Sequence, residues 1–109
     1  MQIAVSSLQG VRVLAPQGRL DANTAALFQE HLLEVLENES CLVLDFLGIS
    51  YLSSAGLRAL MLGGKKAQKL GGWIRVARVR SHVEEIFTLS GFDTFFPLFS
   101  ELEQAVLNG

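Results

Sequence analysis

Two adjacent serines, Ser53 and Ser54, stand between an apolar segment and a run of helical spacing, and they are the residues best placed for chemistry. A nucleophile elbow needs glycine two residues before its serine, and in Leu52-Ser53-Ser54-Ala55-Gly56 that place is held by Leu52. Ser54, His82 and Asp21 supply the residue types of a hydrolytic triad. Any chain with two histidines allows such a set, however, and no spacing ties these three together. Gly63-Gly64-Lys65-Lys66 shares its lysine with a phosphate loop. Ala59 stands where the first glycine belongs, and Lys66 where serine or threonine would hold magnesium. No G-x-G-x-x-G follows an expected strand, and His31 and His82 lack a carboxylate or thiol at ligand spacing. The single Cys41 excludes an internal disulfide and a multi-cysteine zinc site. No catalytic residue, cofactor or metal is therefore expected, and binding without catalysis is the starting point.

What remains for a serine at a helix start is modification. Its hydroxyl can carry a phosphoryl group without cost to the fold, adding a charge of about -1.5 to -2. That charge would face the positive end of the helix dipole, which favours an anion by about 0.3–1 kcal/mol. The same geometry also suits a plain structural role, in which Ser53 or Ser54 caps the free amides of the first turn.

The elements that would position these serines follow from periodicity. Gln2 to Ser7 and Val11 to Ala15 read as a pair of strands turning at Leu8-Gln9-Gly10, with Pro16 ending the second or placing it at an edge. Ala22 to Glu37 has helical spacing, with Ala25, Phe28, Leu32, Val35 and Leu36 on one face and Asp21 as a candidate N-cap. Cys41 to Phe46 reads as a buried strand. The helix opened by Ser53 or Ser54 should close at Gly71-Gly72, before a strand over Trp73 to Val79. Ser81-His82-Val83-Glu84 has capping-box spacing and opens a third helix closed by Gly91; Ser100-Glu101-Leu102-Glu103 repeats the pattern before a short final helix. Strands alternating with helices after a hairpin predict a mixed α/β domain.

On the second helix, Leu57, Leu60, Met61 and Gly64 form a stripe expected to face the sheet. Ala55, Ala59 and Leu62 lie about half a turn away, flanked by Arg58, Lys65, Lys66 and Lys69. This second stripe is either a surface for a partner protein or a solvated face of good helix formers. Arg75, Arg78 and Arg80 read as a charged strand end beside a loop or as a phosphate patch. Phe92, Phe95, Phe96 and Phe99 either fasten the last helix or mark a docking surface.

Composition limits the partners. The 109 residues are 50% hydrophobic and carry a net charge of -2, with 9 Lys plus Arg against 11 Asp plus Glu, so nucleic acid is not expected. The longest stretch without a charged residue, Phe46 to Leu57, contains Gly48 and several serines and falls short of the about 20 apolar residues of a spanning helix. Met1-Gln2-Ile3 lacks the basic start of a secretory signal, and the first basic residue is Arg12, so no membrane insertion is expected and the expected compartment is the cytoplasm.

The segments YLSSAGLRALM (51–61), GRLDANTA (18–25), KLGGWIRV (69–76) and SHVEEIFTLSGF (81–92) together resemble the STAS domain of anti-sigma factor antagonists. The resemblance covers nearly the whole chain and implies one domain over residues 1–109, a mixed sheet of roughly four to five strands covered by about four helices. It implies a partner switch. The unmodified protein binds an anti-sigma factor that is also a serine kinase, phosphorylation ends the binding, and a PP2C-type phosphatase restores it. The family's phosphorylated position falls on Ser54, followed by Ala55, Gly56 and Leu57; familiar members carry aspartate where this chain has Ser53, which leaves Ser53 as a rival site. Asp21, in the family's G-x-L-D segment, is implied to lie near the serine and contact the kinase. The implied partner surface thus holds Asp21, Ser53, Ala55, Gly56, Arg58, Ala59 and Leu62. The alternative is an unswitched STAS adaptor, such as an accessory subunit of a membrane transporter, in which Ser54 serves only the helix start.

Overall fold

The structure, a computed structural model, describes residues 1–107; Asn108 and Gly109, the end of the expected domain, lie outside the described residues. Strand β1 (Gln2–Leu8) runs antiparallel to β2 (Val11–Leu20), with Leu8 opposite Val11. The two residues between them, Gln9 (φ 52) and Gly10 (φ 83), are both left-handed, as the tight hairpin turn that matches strand twist requires.

Pro16 does not end β2. The strand continues to Leu20, and Pro16 pairs with Ile3 on the β1 side. On its other side β2 changes neighbour here. Arg12–Leu14 pair in parallel with β3 (Cys41–Asp45), and Gly18–Leu20 with β4 (Ile49–Leu52). Pro16 sits in the gap between these neighbours, where a missing amide hydrogen costs no ladder bond on that side. The register shift between Gly18 and Arg19 uses the freedom of Gly18 (φ 110).

The sheet is ordered β1-β2-β3-β5-β6, with β5 (Trp73–Ala77) and β6 (Leu98–Phe99) parallel to β3 and β4 joined to the far half of β2. Of its six strands, β4 and β6 carry no periodic signal in the sequence, being four and two residues long. Four α-helices cover it: α1 (Ala25–Leu36), α2 (Ser54–Lys69), α3 (Ser81–Ser90) and α4 (Leu102–Leu107). Helix α1 starts three residues later than the Ala22 predicted, because Asp21–Thr24 form a separate turn. The capping box expected at Ser81–Glu84 is not made: Ser81 is already helical, Arg80 takes the cap position, and no side chain bonds the free amides. Gly91 closes α3 as expected, and does so in the left-handed form (φ 80).

Alternation along β3 and β5 divides the core in two. Leu42, Leu44, Ile74 and Val76 join Phe28, Leu32, Leu57, Leu60, Val83 and Phe87 from α1, α2 and α3 on one face. Val13, Val43 and Ala77 meet Ala105 of α4 on the other. The phenylalanines serve packing: Phe96 is buried in the larger cluster with Phe92 and Phe95 against it, and Phe99 joins the smaller one. The three arginines form no common patch. Arg75 is buried, lies 3.6 Å over the Trp73 ring and donates to the Ala105 carbonyl at 2.9 Å, which ties α4 down. Arg78 pairs with Asp45, its Nε 3.1 Å from Oδ1, and Arg80 donates to the Leu47 carbonyl at 2.8 Å.

Candidate functional site

The parallel pairing of β2 with β4 creates the site. Leu20 lies opposite Leu52, and the amide of Ser53 donates to the Leu20 carbonyl at 2.9 Å, so both strands end together. The turn that follows β2 and the first turn of α2 therefore emerge side by side, which brings Asp21 to the same end of the sheet as Ser53 and Ser54.

The two serines have separate tasks. Ser53 is the N-cap of α2, with extended backbone (φ -102, ψ 174), and its hydroxyl accepts a hydrogen bond from the Gly56 amide at 3.3 Å. Its carbonyl accepts the first helical bond, from Leu57. Ser54 is the first helical residue; it is exposed, and its hydroxyl makes no hydrogen bond among the described residues. The cap is thus filled without the residue that chemistry can reach.

Asp21 organises its own turn rather than capping α1. Its Oδ1 accepts from the Asn23 amide at 2.9 Å, while the Thr24 hydroxyl accepts from the Asp21 amide at 3.0 Å and donates to the Arg19 carbonyl at 2.7 Å. The Asn23 amide, helped by Arg19 and the Thr24 amide, holds the Asp21 carboxyl below the usual aspartate range against some desolvation. Arg19 and Tyr51 were not expected here. Strand pairing sets Arg19 opposite Tyr51, its guanidinium 4.1 Å over the ring and its Nε 3.4 Å from Asp21 Oδ2. No local sequence pattern carries that pairing.

The surface predicted on α2 divides. Arg58 and Leu62 are exposed, Leu62 at 43%, and Ala55 is half-buried. Ala59 is 1% exposed and Gly56 is buried, so neither is offered to a partner. The physical reason is that α2 packs on α1 as well as on the sheet, and its buried arc is wider than one stripe. Gly56 is pressed against Leu20 and Leu52, and Gly63 against Leu32 of α1. At Gly56 and Gly63 the residues are small because neighbours approach closely. Of the stripe expected to face the sheet, Leu57 and Leu60 lie in the larger core cluster, Gly64 is buried against Phe95 and Phe96 instead, and Met61 is half-buried.

A triad does not form. His82 Nε2 lies 2.8 Å from the Ser50 carbonyl, and no hydrogen bond joins it to Ser54 or Asp21 among the described residues. No base is hydrogen-bonded to the exposed hydroxyl of Ser54 among the described residues.

The family model described as "STAS domain" matches residues 2–105. The anti-sigma-F factor antagonist RsfB of Mycobacterium tuberculosis is 33% identical over 107 residues, covering 95% of this chain and 85% of that protein. BtrV of Bordetella bronchiseptica, named as a candidate anti-sigma factor antagonist, is 32% identical over 106 residues, covering 96% and 91%. The crystal structure of an anti-sigma factor antagonist from Mycobacterium paratuberculosis superposes with a TM-score of 0.85 at 28% identity, covering 96% of this chain and 90% of that one.

Proposed function

Because the chain belongs to the STAS domain family, we propose that it is an anti-sigma factor antagonist, a binding module whose affinity for its partner is set by the state of Ser54. In its unmodified form it engages an anti-sigma factor that is also a serine kinase, and so releases that factor's target. The kinase then modifies Ser54: the hydroxyl oxygen bonds to the γ-phosphorus of ATP as the bond to the β–γ bridging oxygen breaks. ADP leaves, and the hydroxyl proton passes to a base on the kinase. A PP2C-type phosphatase hydrolyses the ester and restores the binding form.

The observation that carries this reading is the division of labour at the start of α2. Ser53 fills the cap, and Ser54 presents an unbonded, exposed hydroxyl. A phosphate there disturbs no bond of the fold. Arg58, Leu62, Ala55, Asp21 and the Arg19–Tyr51 stack surround the place a partner would cover. To act as a switch, the modification must change affinity by roughly 10²- to 10⁴-fold, or about 2.7–5.5 kcal/mol. A doubly charged group desolvated at an interface is of the right size to do so.

Incubation with the anti-sigma kinase and ATP, followed by peptide mass spectrometry, tests the assignment. Phosphate on Ser54, absent from the Ser54→Ala protein, is the expected result. Phosphate on Ser53 would move the switch to the cap. No phosphate on either serine would favour the unswitched adaptor.

A further inference from the structure

Arg58 stands four residues beyond Ser54 on α2, exposed, with no carboxylate within 4.0 Å among the described residues. Residues four apart on a helix are surface neighbours, about 5–6 Å between Cβ atoms, and an acid N-terminal to a base is the favoured order. The carboxylates around this end do not compete for Arg58. Asp21 is held by the Asn23 amide and Arg19, and α2 has no acid in its first turn. On neighbouring α1, Glu30 and Glu34 are exposed, and the following Glu37 lies 4.0 Å from Lys66, at the far end of α2.

We propose that Arg58 is the phosphate's own ion-pair partner once Ser54 is phosphorylated, a regulatory role that rests on the reading of Ser54 as the modified residue. Before modification the leading end of α2 shows a partner the exposed guanidinium of Arg58, unpaired among the described residues. Afterwards it shows a group of about -1.5 to -2 with the guanidinium folded back onto it. The sign of the surface is then reversed, and the cation is withdrawn at the same time. Phosphorylation removes an attraction as well as adding a repulsion.

Helix α3 supplies a built-in control. It also begins with an exposed serine, Ser81, but three and four residues on it carries Glu84 and Glu85. A phosphate at Ser81 would face two carboxylates where one at Ser54 faces a guanidinium.

The test needs no partner protein. Phosphoserine is incorporated genetically at position 54, and its second ionisation is followed by phosphorus NMR against pH. The expected value lies about 0.5 below the usual value near 6, because the cation favours the dianion. Arg58→Gln should raise it toward 6, with the helix dipole keeping part of the lowering, and Arg58→Lys should keep most of the effect, which should fade near 1 M salt. Phosphoserine at 81 should titrate above 6. Equal values for the parent and Arg58→Gln would overturn the proposal, as would a shift that disappears in Arg19→Gln instead. A normal Arg58 effect in a protein that the kinase never phosphorylates would sink the proposed function and leave the ion pair standing.

Discussion

Helices α2 and α3 begin in nearly the same way: each opens on an exposed serine, with a buried residue two positions later, Gly56 in one and Val83 in the other. Their first turns are nonetheless built differently. In α2 a second serine stands before the first and caps the helix, so Ser54 is left unbonded. In α3 the cap position is Arg80, whose guanidinium turns to the Leu47 carbonyl, and no side chain bonds the free amides. There His82, on the Ser50 carbonyl, fastens the turn to β4. An exposed serine at a helix start is therefore not itself a site. What distinguishes α2 is a cap supplied by a different residue, Arg58 in place of a carboxylate four positions on, and Asp21 brought to the same end of the sheet by strand pairing.

The largest expected difference between the two helices is in binding. Ser54→Asp should weaken the anti-sigma kinase complex by roughly 10²-fold or more, while Ser81→Asp should leave it unchanged; titration calorimetry with both variants decides. Equal losses would mean that α3 shares the interface.

The next effect is on stability. A methyl group on Gly56 would lie 2.8 Å from side-chain carbons of Leu20 and Leu52 and 2.9 Å from the Leu20 carbonyl. Gly56→Ala should cost about 1–3 kcal/mol by overpacking, whereas Val83→Ala should cost a similar amount through the opposite cause, a cavity. Adding a small apolar solute should recover some of the Val83→Ala loss and none of the Gly56→Ala loss.

The caps themselves separate the serines. Ser53→Ala should cost about 1 kcal/mol in urea unfolding, while Ser54→Ala and Ser81→Ala should both stay within about 0.5 kcal/mol. A cost at Ser54 equal to that at Ser53 would erase the division of labour.

The smallest effect concerns pH. The Asp21 carboxyl titrates below its ordinary range in the folded protein, chiefly through the Asn23 amide. A depressed folded value stabilises above the unfolded value near 3.9, and that contribution is lost as pH falls through the folded value. Asp21→Ala should therefore be slightly less stable than the parent at neutral pH, with the gap closing below about pH 4. A gap that widens on acidification would contradict the assigned cause.

The difference between the two helix starts also explains what could be read from the sequence. The hairpin at Gln9-Gly10, the serine start of α2 and the glycine stop of α3 depend on a few neighbouring residues, and their residue types already contain the reason. The same local logic misled at Ser81–Glu84, where capping-box spacing exists but the helix begins a residue too early to use it. Strands β4 and β6 are too short for periodicity to register, and the approach of Asp21 to Ser54 depends on β4. Helical spacing gives one face of α2 to the sheet and leaves Ala59 outside it, yet Ala59 is buried in a helix that also packs on α1, far away in sequence. Contacts that span long loops leave little local trace.

Under the proposed function, Ser54 carries the switch because the fold does not need its hydroxyl. This is tested most directly on protein with phosphoserine incorporated at position 54, by measuring affinity for the anti-sigma kinase and free energy of unfolding on one sample. Affinity should fall at least about 10²-fold, while the unfolding free energy stays within about 1 kcal/mol of that of the unmodified protein. Unchanged affinity, or a loss of affinity accompanied by a comparable loss of stability, would contradict it.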